Sequence, residues 1–91
     1  MIADIEVTEP EEFLRYRELS TAAASKYGGR FLVRGGATDV LEGDWQPARV
    51  VVLEFDSVET ARRWYESPEY QEAQAVRQAA STSSFLLVEG V

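Results

Sequence analysis

Neither cysteine nor histidine occurs among the 91 residues. Disulfides, thiolate metal sites and cysteine nucleophiles are therefore ruled out. So are serine–histidine relays and histidine-ligated zinc or haem. No side chain titrates near neutrality by default. Positive charge is scarce as well: nine basic residues stand against sixteen acidic ones, a net −7. That balance argues against a phosphate backbone or an anionic lipid surface, so neither nucleic acid nor membrane is expected as a partner. The strongest apolar run, Val50 to Leu53, is far too short to span a bilayer. Nothing near Met1 has the charged-then-apolar pattern of a secretory leader, and a cytoplasmic location is the expectation.

The remaining composition, 45% hydrophobic and 27% charged, is that of one ordinary folded domain covering residues 1–91. Met1 to Val7 alternates as a first strand. Thr8-Glu9-Pro10-Glu11 then reads as a helix start, with Thr8 capping, Glu11 reaching back and Pro10 in the first turn. The helix carries Phe13, Tyr16, Ala23 and Tyr27 on one stripe and ends at Gly28-Gly29. Arg30 to Arg34 is a second strand, with Gly35-Gly36 marking a bulge or bend before the chain runs on to Leu41. Glu42 to Pro47 is turn chemistry, and Arg49 to Phe55 is the clearest strand of all. Asp56 or Ser57 caps a second helix to about Glu66, and Ser67-Pro68-Glu69 opens a third to about Ala80. Ser81 to Ser84 reads as a polar link and Phe85 to Glu89 as the last strand.

This order predicts an α+β fold, a ferredoxin-like βαββααβ sandwich with a four-stranded antiparallel sheet. An internal echo agrees, because Ile5-Glu6-Val7 and Leu53-Glu54-Phe55 each lead into a helix, with Tyr16 and Trp64 in matching places. Helices cover one face of such a sheet, yet both faces of the strands are apolar. Val51, Leu53 and Phe55 oppose Val50 and Val52; Phe85 and Leu87 oppose Leu86 and Val88; Phe31 and Val33 oppose Leu32. An uncovered face of that kind exceeds what soluble monomers show, so a homodimer packed sheet to sheet is expected. The alternative is that the carboxy-terminal helix or a long loop folds over the second face.

Several stretches resemble a known bacterial family: Tyr27 to Gly36, Leu41-Glu42-Gly43, the Val51-to-Phe55 strand, Ser67-Pro68-Glu69-Tyr70-Gln71 and Arg77. That family is domain of unknown function 1330, and the resemblance runs from about Ile2 to Gly90. It implies the dimeric α/β-barrel superfamily, whose members include cofactor-free oxygenases, isomerases, lyases and ligand-sensing domains. Fold does not choose among these activities.

Arg34 and Glu54 stand on strands among apolar neighbours. Facing inward, they would bind a polar substrate, with Glu54 as a base, or pair with each other to fix the hairpin. Tyr16, Trp64, Tyr65 and Tyr70 either line a pocket between helices and sheet or pack as core. Tyr70 and Arg77 are seven apart on a helix and share a face. The candidate catalytic residues are thus Glu54 and Tyr70, and the candidate ligand-binding residues Tyr16, Arg34, Trp64 and Arg77. No metal site is expected, since Asp39, Glu42 and Asp44 are scattered over a turn. Trp45 in that turn either anchors the long hairpin, covers a pocket mouth or packs across a dimer partner. Two functions remain open. One is an enzyme acting without metal, haem or other cofactor on a small apolar or aromatic ligand; the other is a non-catalytic homodimer that binds a metabolite or protein.

Overall fold

The structure is a computed structural model that describes residues 1–91. Alternating side chains form β1 (Ile2–Val7), followed by α1 (Pro10–Lys26), β2 (Arg30–Arg34), β3 (Val50–Glu54), α2 (Val58–Glu66), α3 (Pro68–Ala80) and β4 (Ser81–Leu86). The four strands make one antiparallel sheet in the order β2-β3-β1-β4. All three helices lie on one face, and the molecule is a slab with extents of 36 × 35 × 16 Å.

The burial pattern sorts the strands by face. Ala3, Ile5, Val51 and Leu53 are buried under the helices with Phe13, Tyr16, Ala23, Ala24, Trp64, Tyr70, Ala73 and Ala80. Small alanines on the facing sides of α1 and α3 let those two helices approach closely, so that the aromatics of both meet in one cluster. On the opposite face, Ile2 pairs with both Val52 and Leu86, and Val33 pairs with Val52. Nothing in the chain covers Leu32, Val33 or Leu86, which remain exposed.

The second and third helices start as their sequences predict. Ser57 caps α2 through Thr60 N at 3.0 Å, and Ser67 caps α3 through Tyr70 N at 3.1 Å. The start of α1 differs. Glu9 occupies the cap position and no side chain caps it. The N–H groups of Thr8 and Glu9 donate instead to Ala80 O at the end of α3, at 2.9 and 3.0 Å. A tertiary acceptor thus takes the place of the expected capping box.

Three further expectations are corrected. Ser81 to Ser84 is not a link but the body of β4, paired residue for residue with β1 from Val7 to Asp4. The ladder needs only backbone groups, and an edge strand tolerates serines that carry no hydrophobic signal. Of the bulge or bend expected at Gly35-Gly36, Gly35 makes the bend, while the bulge in β2 falls between Phe31 and Val33 and turns Val33 to the open face. Beyond Arg34 the chain to Leu41 is loop, not strand; Gly35 takes a φ of +75°, which ends the regular extension.

Candidate functional site

The two ends of the long β2–β3 connection bring Arg34 and Arg49 together. Arg34 pairs with Val51, and Gly35 N donates to Val50 O at 2.8 Å. Arg49 continues the alternation of Val51 and Leu53, so both arginines point toward the helices. Asp4 holds the far end of the connection from β1. Its carboxylate accepts from Trp45 Nε1 at 3.0 Å, Ala48 N at 2.9 Å and Arg49 N at 3.3 Å. The Trp45 bond, with the Arg49 and Ala48 N–H groups behind it, outweighs the opposing desolvation and keeps the Asp4 pKa below its usual range. Trp45 is therefore the hairpin anchor.

From above, α1 contributes Phe13, Tyr16, Arg17 and Ser20, spaced so that one helix face looks down on the sheet. Between this face and Phe31, Arg34, Arg49, Val51 and Leu53 lies a narrow hollow of about 20 Å³, room for a water molecule. Trp64 and Phe85 form its inner wall. The same two residues also bound a second hollow of about 200 Å³, lined by Met1, Ala61, Arg62, Tyr65, Glu66, Leu86 and Leu87. Trp64 is 1% exposed, and its Nε1 has no hydrogen-bond partner.

Behind that wall Arg77 Nη1 donates to Tyr70 OH at 2.9 Å, and the Tyr70 and Tyr16 hydroxyls lie 2.9 Å apart. An arginine can only donate. Tyr70 is fully buried, and Tyr16 is the remaining partner for its proton. The chain therefore runs Arg77 to Tyr70 to Tyr16, which leaves the Tyr16 proton free for the hollow. Burial, and then the neighbouring Tyr16, push the Tyr70 pKa far above the ordinary phenol value, with Arg77 opposing. Tyr70 is a fixed relay, not an ionising group. Arg77 is 5% exposed, has no carboxylate partner, stacks 3.9 Å over the Phe85 ring and leaves its Nε unpartnered.

The sequence-predicted residues thus divide. Tyr16, Arg34 and Trp64 line the arginine-rimmed hollow; Tyr70 and Arg77 stand behind Tyr16 and share the predicted face. Glu54 does not join them. It lies on the open side of the sheet, half exposed, with Oε1 2.7 Å from Arg30 Nη2. Arg34 points to the helix side, where it donates to Thr21 Oγ1 at 2.8 Å and Arg17 O at 3.2 Å. The expected Arg34–Glu54 pair is absent because strand alternation places the two on opposite faces; Arg30, directly across from Glu54, takes its place.

Comparison with known proteins agrees with this architecture. The profile of the family described as domain of unknown function (DUF1330) matches residues 1–91. The chain belongs to that family. It is similar in structure to RPA0582 of Rhodopseudomonas palustris, a crystal structure of a protein of unknown function. The TM-score is 0.79 and the identity 21%, over 99% of this chain and 79% of that one. The methylated form of RPA0582 aligns with a TM-score of 0.76 and 21% identity, over 99% and 78% of the two chains. At that identity the likeness is one of fold. No curated protein matches the sequence.

In this DUF1330 domain the site residues that sequence reasoning missed are Arg17, Ser20, Phe31 and Arg49. Two of them left a signal. Arg49 alternates with Val51 and Leu53, and Arg17 sits four residues after Phe13, at the exposed edge of the buried stripe. No group of three or more potential metal ligands gathers anywhere in the domain.

Proposed function

We propose that this DUF1330 domain is a ferredoxin-like sandwich that pairs through its open sheet face as a dimeric α/β barrel. On its helix side it binds a small apolar or aromatic molecule. Supporting the topology, the strand order β2-β3-β1-β4 and the one-sided helix layer are those of such a sandwich. The observation that carries the ligand reading is the aromatic partition of Trp64 and Phe85. The 200 Å³ hollow beside it suits about one aromatic ring, and the buried Trp64 Nε1 lacks an acceptor.

Chemistry at this site runs without metal or haem. Tyr16, on the arginine side of the Trp64–Phe85 partition, donates a hydrogen bond to a ligand oxygen that reaches past it, and the Arg77–Tyr70 chain behind Tyr16 strengthens that donor as negative charge develops. Tyr70 is a positioning residue in this scheme, and Glu54 has no part in it. The non-catalytic reading is favoured by one observation: the hollow beside Tyr16 contains neither carboxylate nor imidazole, and the one carboxylate of the larger hollow, Glu66, is exposed to water, so no buried base stands ready. Binding alone asks only for the donors present.

A Trp45→Phe variant leaves Trp64 as the sole tryptophan and makes its emission a reporter of the site. Single-ring amides and aldehydes are expected to shift that emission at millimolar concentration. Tyr16→Phe should weaken the binding by about five- to tenfold, the worth of one hydrogen bond. A Trp64 emission indifferent to every such compound would overturn the reading. Recovery of a bound compound chemically unchanged after long incubation favours the binder over the enzyme.

A further inference from the structure

Of nine basic side chains, only Arg15, Lys26 and Arg30 come within 4.0 Å of a carboxylate. Three of the others, Arg17, Arg34 and Arg49, surround one hollow. Sixteen acidic residues are available in this chain, yet none lines that hollow. Every charged group there is a cation, and the Tyr16 hydroxyl beside them has its proton free.

Such a cluster carries an electrostatic cost within the fold. Burial first, and then the charges of Arg17 and Arg49, pull the Arg34 pKa down from its usual value. The cluster is nonetheless firmly built. The Arg34 guanidinium stacks 4.0 Å over Phe31 and is tied to Thr21 and to the Arg17 carbonyl. The Arg49 guanidinium lies against Gly35, where even a Cβ would come within 2.8 Å of its Cζ. Glycine at this position gives both the positive φ and the space for Arg49. Arginines held in this way keep spare donors in planar forks, which match the two oxygens of a carboxylate.

We propose that Arg17, Arg34 and Arg49 form an oxyanion subsite, and that the ligand is a small organic acid with an apolar or aromatic body. The body occupies the 200 Å³ hollow against Trp64 and Phe85, and the carboxylate reaches the three guanidinium groups where those two side chains part. This inference rests on the ligand reading above and names its chemical class. The arginine-lined space has room for only a water-sized group, so it widens to take the carboxylate, the exposed Arg17 side chain swinging outward while Arg34 keeps its bonds to Thr21 and the Arg17 carbonyl.

The test compares phenylacetate with phenylacetamide, which share a ring and differ in charge, on the wild-type chain. Nuclear magnetic resonance of the arginine Nε–H and tryptophan indole signals gives both the affinity and the place of binding. Phenylacetate is expected to bind at least about tenfold more tightly than the amide, to move the Arg34, Arg49 and Trp64 signals, and to weaken with added salt. Arg49→Gln should abolish the preference, as should Arg34→Gln if it folds, whereas Arg63→Gln on the exposed side of α2 keeps it. Equal binding of acid and amide would overturn the oxyanion subsite and leave the ligand reading intact. If neither compound moves any of these signals, both fall.

Discussion

Arg77 is the least conventional residue in the molecule, a guanidinium in the core with no carboxylate beside it. What makes it tolerable is the Phe85 ring beneath it and the Tyr70 oxygen in front of it. Removing that oxygen leaves an unpaired donor in the interior. Tyr70→Phe is therefore expected to destabilise the domain by about 1–3 kcal/mol in urea unfolding, whereas Arg77→Met, which removes the demand along with the charge, should cost less. Tyr70 also sets an alkaline limit. Its folded pKa is raised, so the folded state holds a proton that the unfolded chain releases above the ordinary value of 10.0. Its contribution is fully present below that pH and is lost as the pH climbs above it. Unfolding followed from pH 9 upward should show a falling stability that is flatter in Tyr70→Phe.

At the level of elements, the junction of α2 and α3 organises the site. Ser67 is buried, closes α2 by donating to Trp64 O at 2.7 Å and opens α3 by accepting from Tyr70 N at 3.1 Å. Its extended backbone breaks the helix, and Pro68 follows in the first turn of α3, where a missing N–H does no harm. The break turns Trp64 and Tyr70 toward each other, with ring centroids 4.2 Å apart. Ser67→Ala removes the cap at both ends of this contact and should cost about 1–2 kcal/mol in a thermal or urea melt. Ser57→Ala makes a control, since it caps the exposed start of α2 with no aromatic pair behind it. The reciprocal serine was legible because cap chemistry is local. The start of α1 was not, because its acceptor, Ala80 O, lies some seventy residues away in the chain.

For the molecule as a whole, the slab is too thin to hide both faces of its sheet. Helices cover one side, while Ile2, Val33, Val50, Val52 and Leu86 occupy the other, with the Arg30–Glu54 pair, Asp4, Glu6, Thr82 and Ser84 among and beside them. Pairing through this face predicts a particle of twice the 10.2 kDa chain mass in analytical ultracentrifugation. Val52→Asp, at the centre of the face, should sediment as a folded monomer at micromolar concentration with unchanged helical circular dichroism. A wild-type chain that sediments at 10.2 kDa at those concentrations would remove the dimer from the proposal. No helix of the domain is long and apolar enough to cross a membrane.

Element order, the two serine caps, the glycine stop after α1 and the shared face of Tyr70 and Arg77 were all present in the chain as written. Each depends on residues within about two helical turns of one another, where spacing translates directly into direction. The internal echo was legible too: Ile5 and Leu53 point to the helices, and Tyr16 and Trp64 line the same hollow. Pairings across the sheet were not. The β2 bulge moved Val33 to the open face, and register gave Glu54 to Arg30 rather than Arg34. The serines of β4 entered the sheet on backbone bonds alone, which leave no hydrophobic pattern to read. The arginine cluster belongs to this second class. Arg17, Arg34 and Arg49 come from a helix and from two strand ends fifteen residues apart, and only the folding of α1 over the β2–β3 hairpin places them round one hollow. A charge count over the whole chain reports an acidic protein, whereas the local field that meets a ligand depends on which side chains share a surface.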